Sequence, residues 1–272
     1  MSLEEAKSLL REHRIIPNRL LGQNFMVDSS LYPTLCKYAG LGSDDVVLDA
    51  GAGFGFLTRF ISNKAKAVIA VEKDPNVAVV LHEQVQDLAN VTVIEGDVLK
   101  VALPPFNKAV SIPPYYLSSH LVTWLLDHGF DCAVLILQKE FAQRLVAPVG
   151  SEEYGWLSVV TCQCAETKLL DAVPRWMFHP QPDVDSIIVQ LKPWTKPPFP
   201  VKDSLFFRRI TKWLFTQRNK TLDNAAAPFI RSELKLEKKQ AAEMASKLPL
   251  QGKRVRELAP ADFGAIANAL CR

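Results

Sequence analysis

The chain of 272 residues contains no uninterrupted apolar run near the ~18 residues that a membrane-crossing helix needs, so no membrane partner is expected. Its opening, MSLEEAKSLL, is charged and amphipathic and lacks the apolar core of a secretory signal, so a soluble, cytoplasmic protein is expected. Cysteines number five, and Cys162 and Cys164 have no second pair with which to build a metal site. An odd count without metal spacing fits a reducing compartment better than a disulfide framework and leaves no metal to expect. A strong charge excess is also missing, because 32 Lys and Arg stand against 29 Asp and Glu, a net +3 that by itself identifies no partner. Glycine is sparse, 12 in all, yet three of the twelve fall at alternate positions between 51 and 55.

What is present is a globular composition, 48% hydrophobic and 22% charged, in a chain long enough for one large domain and a small one. The organising stretch is VVLDAGAGFG, residues 46–55. A short buried-strand run ends at Asp49, Gly51, Gly53 and Gly55 follow, and helical spacing resumes at Phe56. Strand, glycine turn and helix in that order let the backbone approach a ligand at a helix N-terminus. A nicotinamide or flavin fingerprint requires Gly-x-Gly-x-x-Gly, whereas the spacing here is Gly-x-Gly-x-Gly. A plain tight turn remains open on the glycines alone.

Further strands are predicted at 66–71, 91–95, 108–111 and 132–138, alternating with helices, which is the pattern of a parallel sheet with crossover connections. Ligands of open α/β sheets lie beyond the carboxyl ends of the strands. Those ends carry Gly51, Glu72, Asp97 and the turn Ile112-Pro113-Pro114-Tyr115. Glu72, 21 residues after Gly51, stands where a carboxylate accepts hydrogen bonds from ribose hydroxyls, and Asp97 is suited to an exocyclic adenine amine. Gln23 and Asn24 crowd the loop before a helix predicted over 29–39; either a capping loop or a ligand contact accounts for them.

The motifs LGQNF (21–25), LDAGAGFGFLT (48–58), VEKD (71–74), IEGDVL (94–99), PPYYLSS (113–119), LQKEFAQRL (137–145), EEYGWLSV (152–159), FHPQPDVDS (178–186), FTQRNKTLDN (215–224) and RVREL (254–258) run nearly the length of the chain. In this order they resemble the rRNA adenine N6-dimethyltransferase family. The resemblance implies a Rossmann-like S-adenosylmethionine-dependent methyltransferase sheet with a small all-helical C-terminal domain. It implies dimethylation of two adjacent adenines near the 3′ end of small-subunit rRNA, with S-adenosylmethionine as cofactor and the assembling small subunit as partner. The cofactor set it implies is Asn24, Met26, Gly51, Glu72, Asp97 and Ile112, to which Gln23, Gly53 and Gly55 add themselves by position. Ile112, Pro113, Pro114 and Tyr115 form the candidate catalytic turn, and the target adenine is expected between Tyr115 and Phe178.

One departure matters. The family motif opens with Asn, and this chain has Ile112, preceded by Ser111. Adenine N6 is a poor nucleophile, and acceptors for its amino hydrogens favour a pyramidal nitrogen. Losing one such hydrogen bond, worth about 0.5–3 kcal/mol, slows transfer by ~3- to ~150-fold. Backbone carbonyls of Ile112 and Pro113 remain, and Ser111 would replace the lost acceptor if the turn were shifted by one residue. A ribosome-assembly factor that binds rRNA with weak, single or no methylation is the competing function, and a large-subunit rRNA enzyme a third.

Four prolines between Lys192 and Pro200 predict a stiff linker. The domains expected are thus 1–192 for cofactor binding, a linker over 193–200 and a helical rRNA-binding domain over 201–272, with helices at 205–215, 232–247 and 260–270. Residues 202–239 hold ten Lys and Arg against four Asp and Glu, an excess of six that leaves −3 for the rest of the chain. Arg208, Arg209, Lys212, Arg218 and Lys220 are the candidate phosphate contacts. A monomer is expected.

Overall fold

The computed structural model describes residues 2–18 and 22–271, so Leu21 of the LGQNF motif lies outside the described residues. In chain order the elements are α1 (Leu3–Glu12), β1 (Phe25–Met26), α2 (Tyr32–Ala39), β2 (Val46–Ala50), α3 (Phe56–Ser62), β3 (Ala67–Glu72), α4 (Pro75–Val85), β4 (Val91–Glu95), β5 (Lys108–Ser111), α5 (Ser118–His128), β6 (Cys132–Gln138), α6 (Lys139–Leu145), α7 (Trp156–Cys164), β7 (Ala165–Val173), β8 (Phe178–His179), β9 (Ser186–Pro193), α8 (Ser204–Phe215), α9 (Leu222–Leu234), α10 (Lys238–Ala245) and α11 (Pro260–Leu270). Among the described residues no helix is long and apolar enough to cross a membrane.

The main sheet has seven strands in the order β4-β3-β2-β5-β6-β9-β7. The first five are parallel, and β9 runs antiparallel to β6, pairing Leu135 with Val189 and Gln138 with Ser186. Continuous apolar runs such as CAVLIL in β6 are buried throughout, as strands covered on both faces must be. The order reverses between β2 and β5, and crevices at such switch points open at the carboxyl ends. There Gly55 begins α3, and Asp74 caps α4 by accepting from the Asn76 amide, with Pro75 in the first turn.

Two compact units are present, one comprising residues up to 142 together with 168–193, the other 143–167 together with residues from 194 onward. The division differs from the linear one expected from sequence, because 143–167 groups with the C-terminal helices. Within that second unit α7 packs on α8 and α11, and the buried Tyr154 donates its hydroxyl to the Leu258 carbonyl at 2.8 Å. The proline-rich segment is anchored there as well. Trp194 donates to the carbonyls of Cys164 and Cys162, and the buried Phe199 meets Phe207 edge to face.

Linear periodicity predicts one helix over 232–247, but two are present. Lys235 adopts a left-handed conformation at φ 52°, which ends α9 before α10 begins. Most of α9 was not legible, since Pro228 inside it removes an amide donor and argues against a helix interior.

Candidate active site

The glycine turn after β2 and the end of β3 are joined by backbone and side chain. The amides of Gly51 and Ala52 donate to the Val71 carbonyl at 2.8 and 3.0 Å. The Glu72 carboxylate accepts from the amides of Gly53, Lys73 and Asp74 at 2.8–2.9 Å. Burial pushes the Glu72 carboxyl above its ordinary value, and these amides act against that shift without cancelling it. At the end of β4, Asp97 accepts from the Leu99 amide and pairs with Lys73 Nζ at 3.2 Å. Partial burial would raise Asp97, but the amide and the ammonium outweigh it and hold the carboxyl low.

These groups line a cleft of about 620 Å³, including its open mouth, to which Gln23, Asn24, Gly51, Gly53, Ile112 and Pro114 also contribute. Gln23 donates to Asp74 at 2.8 Å and accepts from the Asn18 amide, which fastens the loop before β1 to the cleft wall. Gly51 has φ +75°, and a Cβ there would stand 2.5 Å from Pro114 Cδ, so the glycine loop and the Pro-Pro turn touch only because no side chain intervenes. A second recess shares Asn24, Gly51, Gly53 and Ile112 and adds Met26, Tyr32 and Asp49. Asp49 is fully buried, and its pKa is pushed up to about 7, chiefly by loss of water; the Thr58 hydroxyl, donating at 2.7 Å, opposes this and the charge of Glu72 adds to it.

Of the nine residues expected to hold cofactor, eight line one or both recesses. Gly55 does not. A Cβ on it would meet Leu81 Cδ1 at 2.5 Å, so its role is to let α3 pack on α4. The hydroxyl of Ser111 accepts from the Ala50 amide at 2.8 Å and donates to the Leu48 carbonyl at 3.3 Å, fully buried inside the sheet. Ser111 is therefore committed to β2, and its substitution for the family Asn is corrected by that geometry. The Ile112 side chain packs against the main apolar cluster while facing both recesses.

Tyr115 and Phe178 are neighbours, with ring centroids 6.5 Å apart and planes at 65°, in edge contact rather than as two parallel faces. Phe178 is only 3% exposed, held by the pairing of β8 with β1 that sets it opposite Met26. The Tyr115 hydroxyl shares a hydrogen bond of 2.7 Å with Ser186. Pro113 is buried, and neither it nor the two rings line the cleft. The next residue, Tyr116, does line it, 42% exposed, with Lys73 Nζ 5.7 Å from its ring. Tyr116, Lys73, Asp74 and Asp49 are site residues that sequence reasoning missed. The last three lie inside the motifs at 48–58 and 71–74, and that membership was the available signal, whereas which of two consecutive tyrosines turns inward depends on the turn.

In the second unit Arg209 is paired with Glu233 at 2.6 Å, and Arg218 donates to the carbonyls of Glu152 and Ser151 at 2.9 and 3.0 Å. Arg208 reaches Cys164 Sγ at 3.5 Å, and Lys212 lies 5.4 Å from the Trp156 ring. Lys212 and Lys220 are exposed. Two of the five expected phosphate contacts, Arg209 and Arg218, thus have strong internal partners.

A cleft lined by Gly51 and Gly53 beside the carboxyls of Glu72 and Asp97 suits a nucleoside ligand, with acceptors for hydroxyl and amino hydrogens. With the five-strand parallel core, it defines a Rossmann-like methyltransferase of the S-adenosylmethionine-dependent class, and its residues fit that cofactor. The structure is similar to a dimethyladenosine transferase from Plasmodium falciparum, with TM-score 0.72 and 27% identity over 88% of this chain and 94% of that one. It is also similar to the 23S rRNA methyltransferase ErmE, with TM-score 0.64 and 25% identity over 92% and 100% of the two chains. Probable ribosomal RNA small subunit methyltransferases A are 38% identical over 96% of this chain and 90% of the protein in Methanosarcina barkeri, and 38% over 97% and 94% in Methanothermobacter thermautotrophicus. The family model for ribosomal RNA adenine dimethylase matches residues 17–266. The chain belongs to the ribosomal RNA adenine dimethylase family.

Proposed function

We propose that this enzyme transfers methyl groups from S-adenosylmethionine to N6 of two adjacent adenines near the 3′ end of small-subunit rRNA, working as a cytoplasmic monomer on the assembling subunit. The observation that carries the reading is the cleft lined by Glu72, Asp97, Ile112 and Pro114, with Gly51 against Pro114. The names of the archaeal relatives favour the small subunit over the large-subunit substrate in the name of ErmE.

The bound cofactor supplies an electrophilic methyl on a sulfonium. Glu72 would hold its ribose hydroxyls and Asp97 its adenine amine, and Asn24 and Met26 border the recess beyond. The carbonyls of Ile112 and Pro113 accept the target amino hydrogens in place of the family Asn. Tyr115 and Phe178 separate from their edge contact to admit the flipped base, which stacks for about 1–3 kcal/mol. Lys212 and Lys220 contribute phosphate contacts. Gly55 and Arg218 serve the fold.

Ile112, an apolar side chain where the family has an acceptor, favours a second reading: an assembly factor that methylates slowly or stops at one methyl. Tritiated-methyl transfer to unmethylated small subunits, followed by nucleoside analysis, separates the readings. Dimethyladenosine near the 3′ end is expected; monomethyladenosine or no product supports the assembly factor, and label only in large-subunit rRNA overturns both.

A further inference from the structure

Helices α9 and α10 pack against each other within the second unit, and beside their junction runs an open groove of about 1130 Å³. Its lining includes Arg231, Lys235 and Lys238 but no carboxylate. All three belong to the basic stretch 202–239, whose excess of six positive charges is set in a chain of net +3. All three cations are exposed. Arg231 and Lys235 are about one helical turn apart, and the left-handed turn at Lys235 brings Lys238 to the same groove. The turn is closed by the amides of Lys235 and Leu236, both donating to the Arg231 carbonyl.

We infer that this groove is a second nucleic-acid contact, one that seats the phosphate backbone of rRNA, distinct from the cations between 208 and 220 expected from sequence. The inference rests on the rRNA reading proposed above. Arg209 and Arg218, the arginines first expected to meet phosphate, are held by Glu233 and by the carbonyls of residues 151–152. The groove supplies three cations placed to follow successive phosphates. Three cations with no carboxylate among them complement a polyanion, and the small side chains of Ala227, Pro228, Ala241 and Ala242 leave room for its backbone between them.

The test compares the wild type with a triple variant, Arg231→Gln, Lys235→Gln and Lys238→Gln. A charge-matched control carries Lys37→Gln, Lys64→Gln and Lys66→Gln, all exposed in the first unit. Binding to protein-free transcribed small-subunit rRNA is measured across salt, with S-adenosylmethionine affinity as a check on folding. The groove variant should bind rRNA more weakly, with a slope of log K against log salt shallower by about 2 to 3 units, and keep its cofactor affinity; the control should move the slope by less than about one unit. Equal slopes for the groove variant and wild type, or for the groove variant and control, overturn the inference. So does an unchanged rRNA affinity combined with slower methylation of assembled subunits, which would assign the groove to a ribosomal protein. If wild type neither binds nor methylates rRNA, the functional reading itself fails, and that outcome is distinguishable from failure of the groove alone.

Discussion

The Glu72 carboxylate accepts the Gly53 amide at 2.9 Å, so one side chain closes the end of β3 onto the glycine turn that follows β2. The same carboxylate takes the amides of Lys73 and Asp74, which makes it a brace of the cleft wall. Glu72→Gln keeps the shape but sets an amide donor among amide donors. Hydrogen bonds to a charged group are worth about 1.5–3 kcal/mol, so calorimetry should find S-adenosylmethionine bound ~10- to ~150-fold more weakly.

Gly51→Ala should damage the site more than Gly53→Ala. At Gly51 the added carbon meets Pro114 Cδ at 2.5 Å with φ +75°, whereas at Gly53 the nearest atom is the Phe25 ring at 3.4 Å. Both pay about 1–3 kcal/mol of backbone strain, but only the first pushes the Pro-Pro turn away from the cleft. The expected outcome is a comparable fall in urea midpoint for the two variants and a further drop in transfer rate for Gly51→Ala alone.

Asp49 makes stability depend on pH. Its folded pKa is raised from 3.8 to about 7, so between those values the folded protein keeps a proton that the unfolded chain has released. Stability from this group is greatest below about pH 4, falls as pH rises and levels off above about pH 7. At about 1.4 kcal/mol per unit the fall is at most ~4 kcal/mol, and access of water through the adjoining recess should reduce it to ~2. Asp49→Asn, which still accepts from Thr58, should flatten the profile and be more stable than wild type at pH 8. Urea midpoints from pH 4 to 8 check this; parallel profiles would refute it.

Ile112→Asn should accelerate methyl transfer by ~3- to ~150-fold by restoring a side-chain acceptor. Ser111→Ala should leave the turnover of folded enzyme unchanged and lower its stability by about 1–3 kcal/mol, because the Ser111 hydroxyl serves the backbone of β2. Single-turnover kinetics on small subunits, with denaturation curves for each variant, separate the two effects. A slower Ser111→Ala enzyme at full stability would return that hydroxyl to the reaction.

The parallel strands were legible because each is a short apolar run closed by a polar or glycine residue, a local signal that needs no partner to be read. Gly51, Glu72 and Asp97 were brought to one cleft by the same logic, since topology sends all strand ends to one side. Gly55 was grouped with the cleft glycines because a glycine that admits a ligand and one that admits Leu81 look alike in a linear string. Tyr115 and Tyr116 are consecutive, and only the rotation of the turn decides which reaches the cleft.

The order of residues by itself determined the parallel core and placed Glu72, Asp97 and Ile112 at its strand ends, because strand periodicity and residue chemistry are local properties. Only the tertiary structure decided that 143–167 joins the C-terminal helices, that Ser111 is bound to β2, and that Arg209 and Arg218 are internally engaged while the α9–α10 groove keeps its cations. Those outcomes depend on pairings between residues far apart in the chain, and a side chain's partner is settled by which distant groups the packed fold brings within hydrogen-bonding distance.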